Sequence, residues 1–235
     1  MKEAGPMTDT DLKTRPTDEA AERPAYAKIR QMNRGGYDRD LAYDILDKGM
    51  IAHVGFIADD RPMVIPMIYG RIDDTLYIHG ASTTRIIKKV GETAPLSFTV
   101  TLIDGFVVSR ATFHNSMNYR CAIVHGAARH VTDQGEIEQA LITMTDHLMP
   151  GRWDESRPML PKELKATGVL ALDIEHISTK VRTGPPGEDA EDLDLPIWGG
   201  VVPVTTALGA PVPDAHVKTD VPAPASVQAA RRKFL

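Results

Sequence analysis

Ser82-Thr83-Thr84-Arg85, with Lys88 one helical turn further on, is the stretch of this chain whose residue types could do chemistry. Small hydroxyls and a guanidinium stand ahead of a helical run, Ile86-Ile87-Lys88-Lys89-Val90. The first N–H groups of a helix are unpaired and its dipole is positive there, so this junction suits an oxyanion such as a phosphate. The same residues also suit an ordinary strand-to-helix junction in which serine and threonine cap the helix. Residue types alone leave both readings open. His79 precedes the Gly80 turn beside that segment, where it could donate to a ligand or coordinate a haem iron. No two of the eight histidines show the i, i+4 spacing of a helical zinc motif, and no carboxylate accompanies them as a facial triad would need, so no metal site is expected. There is no G-x-S-x-G, and Cys121 lies in mid-strand, where a buried inert thiol is expected. Asp59-Asp60, Asp73-Asp74 and the acidic run at 188–194 fall in turns or loops and read as solvated faces. An anion site without catalytic groups fits a protein whose bound cofactor carries the reactivity.

The elements that would position these residues follow from periodicity and turn chemistry. Asp38 or Asp40 caps a short helix carrying Leu41, Ile45 and Leu46, with Gly49 as its stop. Met50–Ala58 reads as a strand, Ala58–Pro62 as a hairpin turn and Met63–Tyr69 as the next strand. Asp73-Asp74 turns the chain into Thr75–His79, which leads to the hydroxyl-rich junction. Gly91 ends the helix that follows. Pro95–Ile103 and Phe106–Phe113 are predicted as two strands joined by an Asp104-Gly105 hairpin turn. Tyr119–Val131 is the longest strand candidate, with Gly126 as a bulge or a point of close approach. Asp133 and Glu136 have capping-box spacing ahead of Ile137, Leu141, Met144 and Leu148 at helical intervals. Pro161–Thr167 adds a further helical turn or two, and Val169–Ile177 is the last clear strand. An acidic linker at 183–196 and an apolar patch, Ile197–Val204, close the core.

Short strand spacing without crossover helices, and with no G-x-G-x-x-G after a strand, argues against a parallel Rossmann sheet. The predicted fold is mainly β with flanking helices, arranged as a small antiparallel barrel. Residues 1–35 are expected to form a disordered N-terminal arm, 36–204 the folded core, and 205–235 a disordered Ala/Pro-rich tail.

Composition limits the partners. A net charge of −5 and a pI near 5.9 argue against nucleic acid or an anionic membrane surface. One cysteine precludes an intramolecular disulfide and fits a reducing cytoplasm. No apolar run is long enough to span a bilayer, and the first residues lack the apolar core of a secretory signal.

Three runs, PMVIPMIYGRIDDTLYIHGASTTRIIKKV, SRATFHNSMNYRCAIVHGAARHVTD and PIWGGVVPV, occur in one order over 34–204. In this they resemble the pyridoxamine 5′-phosphate oxidase-like flavin-binding split barrels, and within them the branch that includes the nitroimidazole-resistance proteins. The resemblance implies a six-stranded antiparallel split barrel and a homodimer with FMN sites at the subunit interface. It implies that Val64, Ile65, Pro66 and Met67 line the isoalloxazine edge through backbone groups. His79, Ser82, Thr83, Thr84 and Arg85 would surround the ribityl chain and phosphate, with Arg85 as the main cation and Lys88 as a lesser one. Asn118 and Arg120 would reach the flavin from the partner subunit, and Trp198 would pack near the ring. The chain departs from the true oxidases at Ile65-Pro66-Met67, where they carry a basic residue, and in lacking their arginine-containing C-terminal segment. Pyridoxamine oxidation is therefore not expected. The implied activity is an FMN-dependent oxidoreductase of unassigned small-molecule substrate. A nitroimidazole reductase, a haem protein using His79 and a non-catalytic flavin-binding module are the alternatives.

Overall fold

The structure, a computed structural model, describes residues 23–89, 93–218 and 221–234. The first 22 residues of the expected arm, and the predicted helix stop at Gly91, lie outside the described residues. The chain forms two compact units, one built from residues up to 45, 101–123 and 176–204, the other from 46–100, 124–175 and 205 onward. Both are antiparallel β with flanking helices.

In the second unit, strands β2 (Ala52–Ala58) and β3 (Arg61–Met67) form a hairpin with Val54 opposite Ile65. Asp59 and Asp60 between them have φ of 52° and 56°. That pair of left-handed residues makes the tight turn whose twist matches the flanking strands, and aspartate tolerates it better than most side chains. β3 is an edge strand, which admits Pro62 and Pro66 because neither has an N–H to contribute to a ladder. On its other side β2 pairs with β6 (Thr93–Val108), Val54 against Phe98. β4 (Tyr69–Ile72) pairs with β5 (Thr75–Ala81), β5 with β8 (Thr167–Asp173), and β8 with β7 (Ser116–His130) at Ala128–His130. Helix α3 (Gln134–Leu148) begins where Asp133 Oδ1 accepts from Glu136 N at 2.8 Å, the cap its sequence predicts. Its Ala140, Leu141 and Met144 pack with Tyr77, Val131, Val169 and Ala171.

Three expected elements differ. The predicted Met63–Tyr69 strand changes partner at Ile68: β3 stops at Met67, and Tyr69 opens β4, its hydroxyl donating to the carbonyls of Leu46 and Gly49. Asp104-Gly105 is not a turn but lies within β6, which continues to Val108. Asp104 holds both oxygens against Arg120, and a side chain on Gly105 would meet Val202 O at 2.9 Å, so the dipeptide serves close strand approach. Val169–Ile177 is two strands, β8 and then β9 (His176–Arg182). The break is held by Ile174 N donating to Asp74 O and Glu175 N donating to His125 O.

In the first unit β9 pairs with β7 and with β1 (Gly35–Gly36), while β10 (Gly200–Pro203) pairs with β6 at 105–108. Residues 23–35, expected within the unstructured arm, are anchored here. Arg23 donates to Ile177 O at 3.0 Å with its guanidinium 4.1 Å from the Tyr37 ring, and Ile29 N donates to the Tyr37 hydroxyl. Helix α1 (Arg39–Lys48), capped by Asp38 Oδ1, carries the chain from this unit to the other. The second unit also contains α2 (Arg85–Lys89), described below, and α4 (Pro161–Ala166), which begins at the predicted proline.

The predicted C-terminal tail is likewise not uniformly unstructured, because Ala225–Lys233 forms helix α5 with Ser226, Ala230 and Phe234 buried. Ser226 Oγ donates to Glu155 at 2.5 Å, and Lys233 Nζ donates to His147 O at 2.5 Å. Buried His147 donates from Nε2 to Gly49 O at 2.6 Å, leaving Nδ1 as the acceptor 3.5 Å from Lys233 Nζ. Burial, then the Lys233 charge, hold this imidazole below its ordinary pKa. A depressed histidine contributes stability that is complete above the unfolded pKa of about 6.5 and is lost as pH falls below it. The thermal stability of the full chain should therefore fall below about pH 6.5, and His147→Gln should flatten that slope. An unchanged slope in the variant would assign the acid sensitivity elsewhere.

Candidate functional site

The phosphate-type segment is placed by a buried anchor. Helix α2 buries Ile86 and Ile87, and Gly168 of β8 makes room for Ile87, since a Cβ there would lie 2.5 Å from Ile87 Cγ2. With that face fixed, Ser82, Thr83, Thr84, Arg85 and Lys88 are all left exposed. Ser82 N donates to Ala166 O, and Thr84 closes the turn by donating from both N and Oγ1 to Ala81 O, each at 2.8 Å. Thr84 is thus part of the local scaffold, whereas Ser82, Thr83 and Arg85 are presented outward. Arg85 Nη1 reaches Met63 Sδ at 3.9 Å, and among the described residues no carboxylate pairs with it or with Lys88.

The Arg85–Met63 contact brings the hydroxyl-rich turn against edge strand β3. Along that strand Val64 and Pro66 are exposed while Ile65 and Met67 are half-buried. An edge strand leaves one row of backbone N–H and C=O groups without a ladder partner. Cation, hydroxyls and an open apolar edge are therefore assembled within one unit. His79 lies at the exposed end of β5, opposite Val169, and desolvation lowers its pKa, favouring the neutral imidazole. The donor set suits a flavin phosphate with a ring laid along β3. Among the described residues no three histidine, cysteine or carboxylate groups gather as a metal site.

The remaining predicted residues belong to the other unit. Asn118 is buried, with its amide engaged at both ends: Nδ2 donates to Gly184 O at 3.1 Å and Oδ1 accepts from Arg182. Arg120 is committed to Asp104 through two bonds of 2.7 and 3.0 Å, and that carboxylate raises its pKa. Neither is presented as a free polar group. Trp198 is 63% exposed, its ring folded over Gly200, where a Cβ would sit 3.0 Å from it. Glu188, read from the sequence as part of a solvated acidic run, is instead a hub. Its carboxylate accepts from Ser109 Oγ, Arg110 N and Arg110 Nη1 at 2.9–3.2 Å and pins the loop that leads to Trp198. A glutamate 78 or 79 positions from its partners leaves no local signal.

Comparison with known proteins bears on the family and the fold. The family described as pyridoxamine 5′-phosphate oxidase matches residues 38–181. Among solved structures, the flavocytochrome Anf3 from Azotobacter vinelandii is 34% identical over 88% of this chain and 96% of that one, with a TM-score of 0.82. A FAD and haem binding protein from Mycobacterium smegmatis is 36% identical over 84% and 97%, with a TM-score of 0.80. A candidate 5-nitroimidazole antibiotic resistance protein from Bacteroides thetaiotaomicron shares the fold at 20% identity, covering 63% of this chain and 86% of its own, with a TM-score of 0.54. No protein of curated function matches the chain. The match across most of α1 to β9, with these full-length likenesses, means that the chain belongs to the pyridoxamine 5′-phosphate oxidase-like split-barrel family.

Proposed function

We propose that this protein is a flavin-dependent oxidoreductase of cytoplasmic location that also binds haem. The observation that carries the reading is Arg85, an exposed guanidinium without a described carboxylate, set with Ser82 and Thr83 beside the open edge of β3. A phosphate at Arg85 would leave the ring of the same ligand along Val64–Met67. The bound flavin supplies hydride chemistry, and the residues of this chain bind and orient it. The name of the mycobacterial relative favours FAD over the FMN that the wider family implies. Two similar structures named for haem support a haem as well. His79 is its candidate ligand, since coordination needs the neutral imidazole that desolvation favours.

A second copy of the chain is the proposed partner. In the first unit Phe106 stands directly across from Val202, and both are about half exposed, as are Leu193 and Ile197. Apolar side chains exposed in such number on one unit suit a homodimer interface.

The absorption spectrum of the purified protein tests the proposal. A flavin band near about 450 nm together with a haem Soret band is expected, in a species that sediments as a dimer. The mass of the extracted flavin separates FAD from FMN. Protein that stays colourless after incubation with FMN, FAD and haemin would sink the proposal.

A further inference from the structure

We propose that the first unit carries an oxyanion site of its own, formed by Arg34, Lys180 and Arg182 beside Tyr119, which takes a phosphate- or carboxylate-bearing organic anion. β9 buries Ile177, Thr179 and Val181 and turns Lys180 and Arg182 to the opposite face. Arg34 directly precedes β1, and its carbonyl accepts from Val181 N at 2.7 Å, which fixes a third cation at the same end of the strand. Across from Lys180 and Thr179, β1 offers only Gly35 and Gly36, so no side chain of that strand covers them.

Arg182 is held in place by neutral oxygens alone. Nη1 donates to Asn118 Oδ1 and, at 3.4 Å, to Gly184 O, while Nη2 donates to Pro185 O at 3.2 Å. Asn118 is itself tied to Gly184 O, so the guanidinium is oriented before any ligand arrives. Its Nε–H and one Nη2 hydrogen have no partner among the described residues. Lys180 Nζ lies 5.9 Å from the Tyr119 ring centre, which puts an aromatic surface beside the cations. Among the described residues no carboxylate forms an ion pair with Arg34, Lys180 or Arg182. Burial and then the charge of Arg34 lower the Arg182 pKa, as expected of like charges gathered without an anion between them. In a chain of net charge −5, three cations kept clear of acids are a site awaiting an anion, and the guanidinium fork matches a phosphate or carboxylate.

Two sources share this chemistry: a free nucleotide carrying a diphosphate, and a carboxylate-bearing organic acid, either of them distinct from the flavin held at Arg85. Calorimetric titration with inorganic pyrophosphate at constant ionic strength tests the site, using the protein as purified and after flavin removal. Saturable binding is expected, weakened by about tenfold or more in Arg182→Gln and several-fold in the double variant Arg34→Ser/Lys180→Gln. The double variant alters exposed side chains and decides the matter if Arg182→Gln does not fold. Competition for pyrophosphate in the loaded protein by ADP identifies a nucleotide diphosphate, competition by citrate identifies a carboxylic acid, and binding confined to the flavin-free protein assigns the anion to Arg85 and overturns the proposal. Absence of saturable binding, or wild-type affinity in the folded variants, overturns the proposal. The absorption spectrum is recorded independently, so a failed anion site and a failed flavin assignment are told apart.

Discussion

Gly126→Ala is expected to cost about 3 kcal/mol or more of unfolding free energy, at or beyond the upper end for overpacked cores. A Cβ at this position would lie 2.0 Å from Asp173 O and 3.2 Å from Asp173 C, so the collision is with backbone. It cannot be relieved by a rotamer change. β7 and β8 are in register at Ala128 opposite Leu172, two residues from the clash. The end of β8 is also tied down by Ala127 N donating to Glu175 Oε1 at 3.1 Å, Glu175 N donating to His125 O, and Ile174 N donating to Asp74 O. Moving Asp173 away would stretch all of these together. Gly168→Ala supplies the contrast, since its new methyl would meet the side chain of Ile87, which can shift at lower cost. Urea unfolding of both variants is the measurement, with Gly126→Ala expected to lose clearly more. Equal and small losses would mean that β7 and β8 do not approach as closely as described.

Gly126 also shows what kind of information the sequence held. A glycine in the middle of a long apolar strand signals close approach without naming the neighbour, and the neighbour, Asp173, lies 47 positions away (173 − 126). Local signals were legible where the physics is local. The Asp133 cap, the Asp59-Asp60 turn and the buried Ile86-Ile87 pair behind the exposed Ser82–Arg85 segment all act within a few residues. Asp104-Gly105 misled for the same reason. The dipeptide is a strong turn former in isolation, and only the Arg120 side chain and the Val201–Pro203 backbone explain why it runs straight. Helix α5 was illegible because its Ala- and Arg-rich sequence has little apolar surface. Beside the buried Ala230 and Phe234, it docks through Ser226 and Lys233, which reach Glu155 and His147 more than 70 residues away. The candidate site divides along the same line. Its cation and hydroxyls are contiguous in sequence and can be proposed from residue types alone, while Glu188 and the Arg182–Asn118 pair are long-range contacts that no local signal marks.

Arg85→Ala should weaken flavin binding by about 1.5–3 kcal/mol, ten- to a hundredfold, while leaving the fold nearly unaffected. The asymmetry follows from where the side chain lies. Arg85 is exposed, is not among the described ion pairs, and touches only the Met63 sulfur by hydrogen-bond geometry. Such a side chain can be truncated at a cost within about 0.5 kcal/mol of stability. A guanidinium facing a phosphate is worth considerably more, because its hydrogen bonds are charge-assisted. Thr84→Ala should behave the other way round: its hydroxyl already donates to Ala81 O, so the turn loosens before any ligand contact is lost. Fluorescence titration with FMN and FAD, beside thermal unfolding of the same samples, separates the two behaviours. Wild-type flavin affinity in a stable Arg85→Ala protein would remove the phosphate from this segment and reduce Ser82–Thr84 to a helix cap. A hundredfold loss at unchanged stability would leave the oxyanion as the reason an unpaired arginine stands beside the open edge of β3.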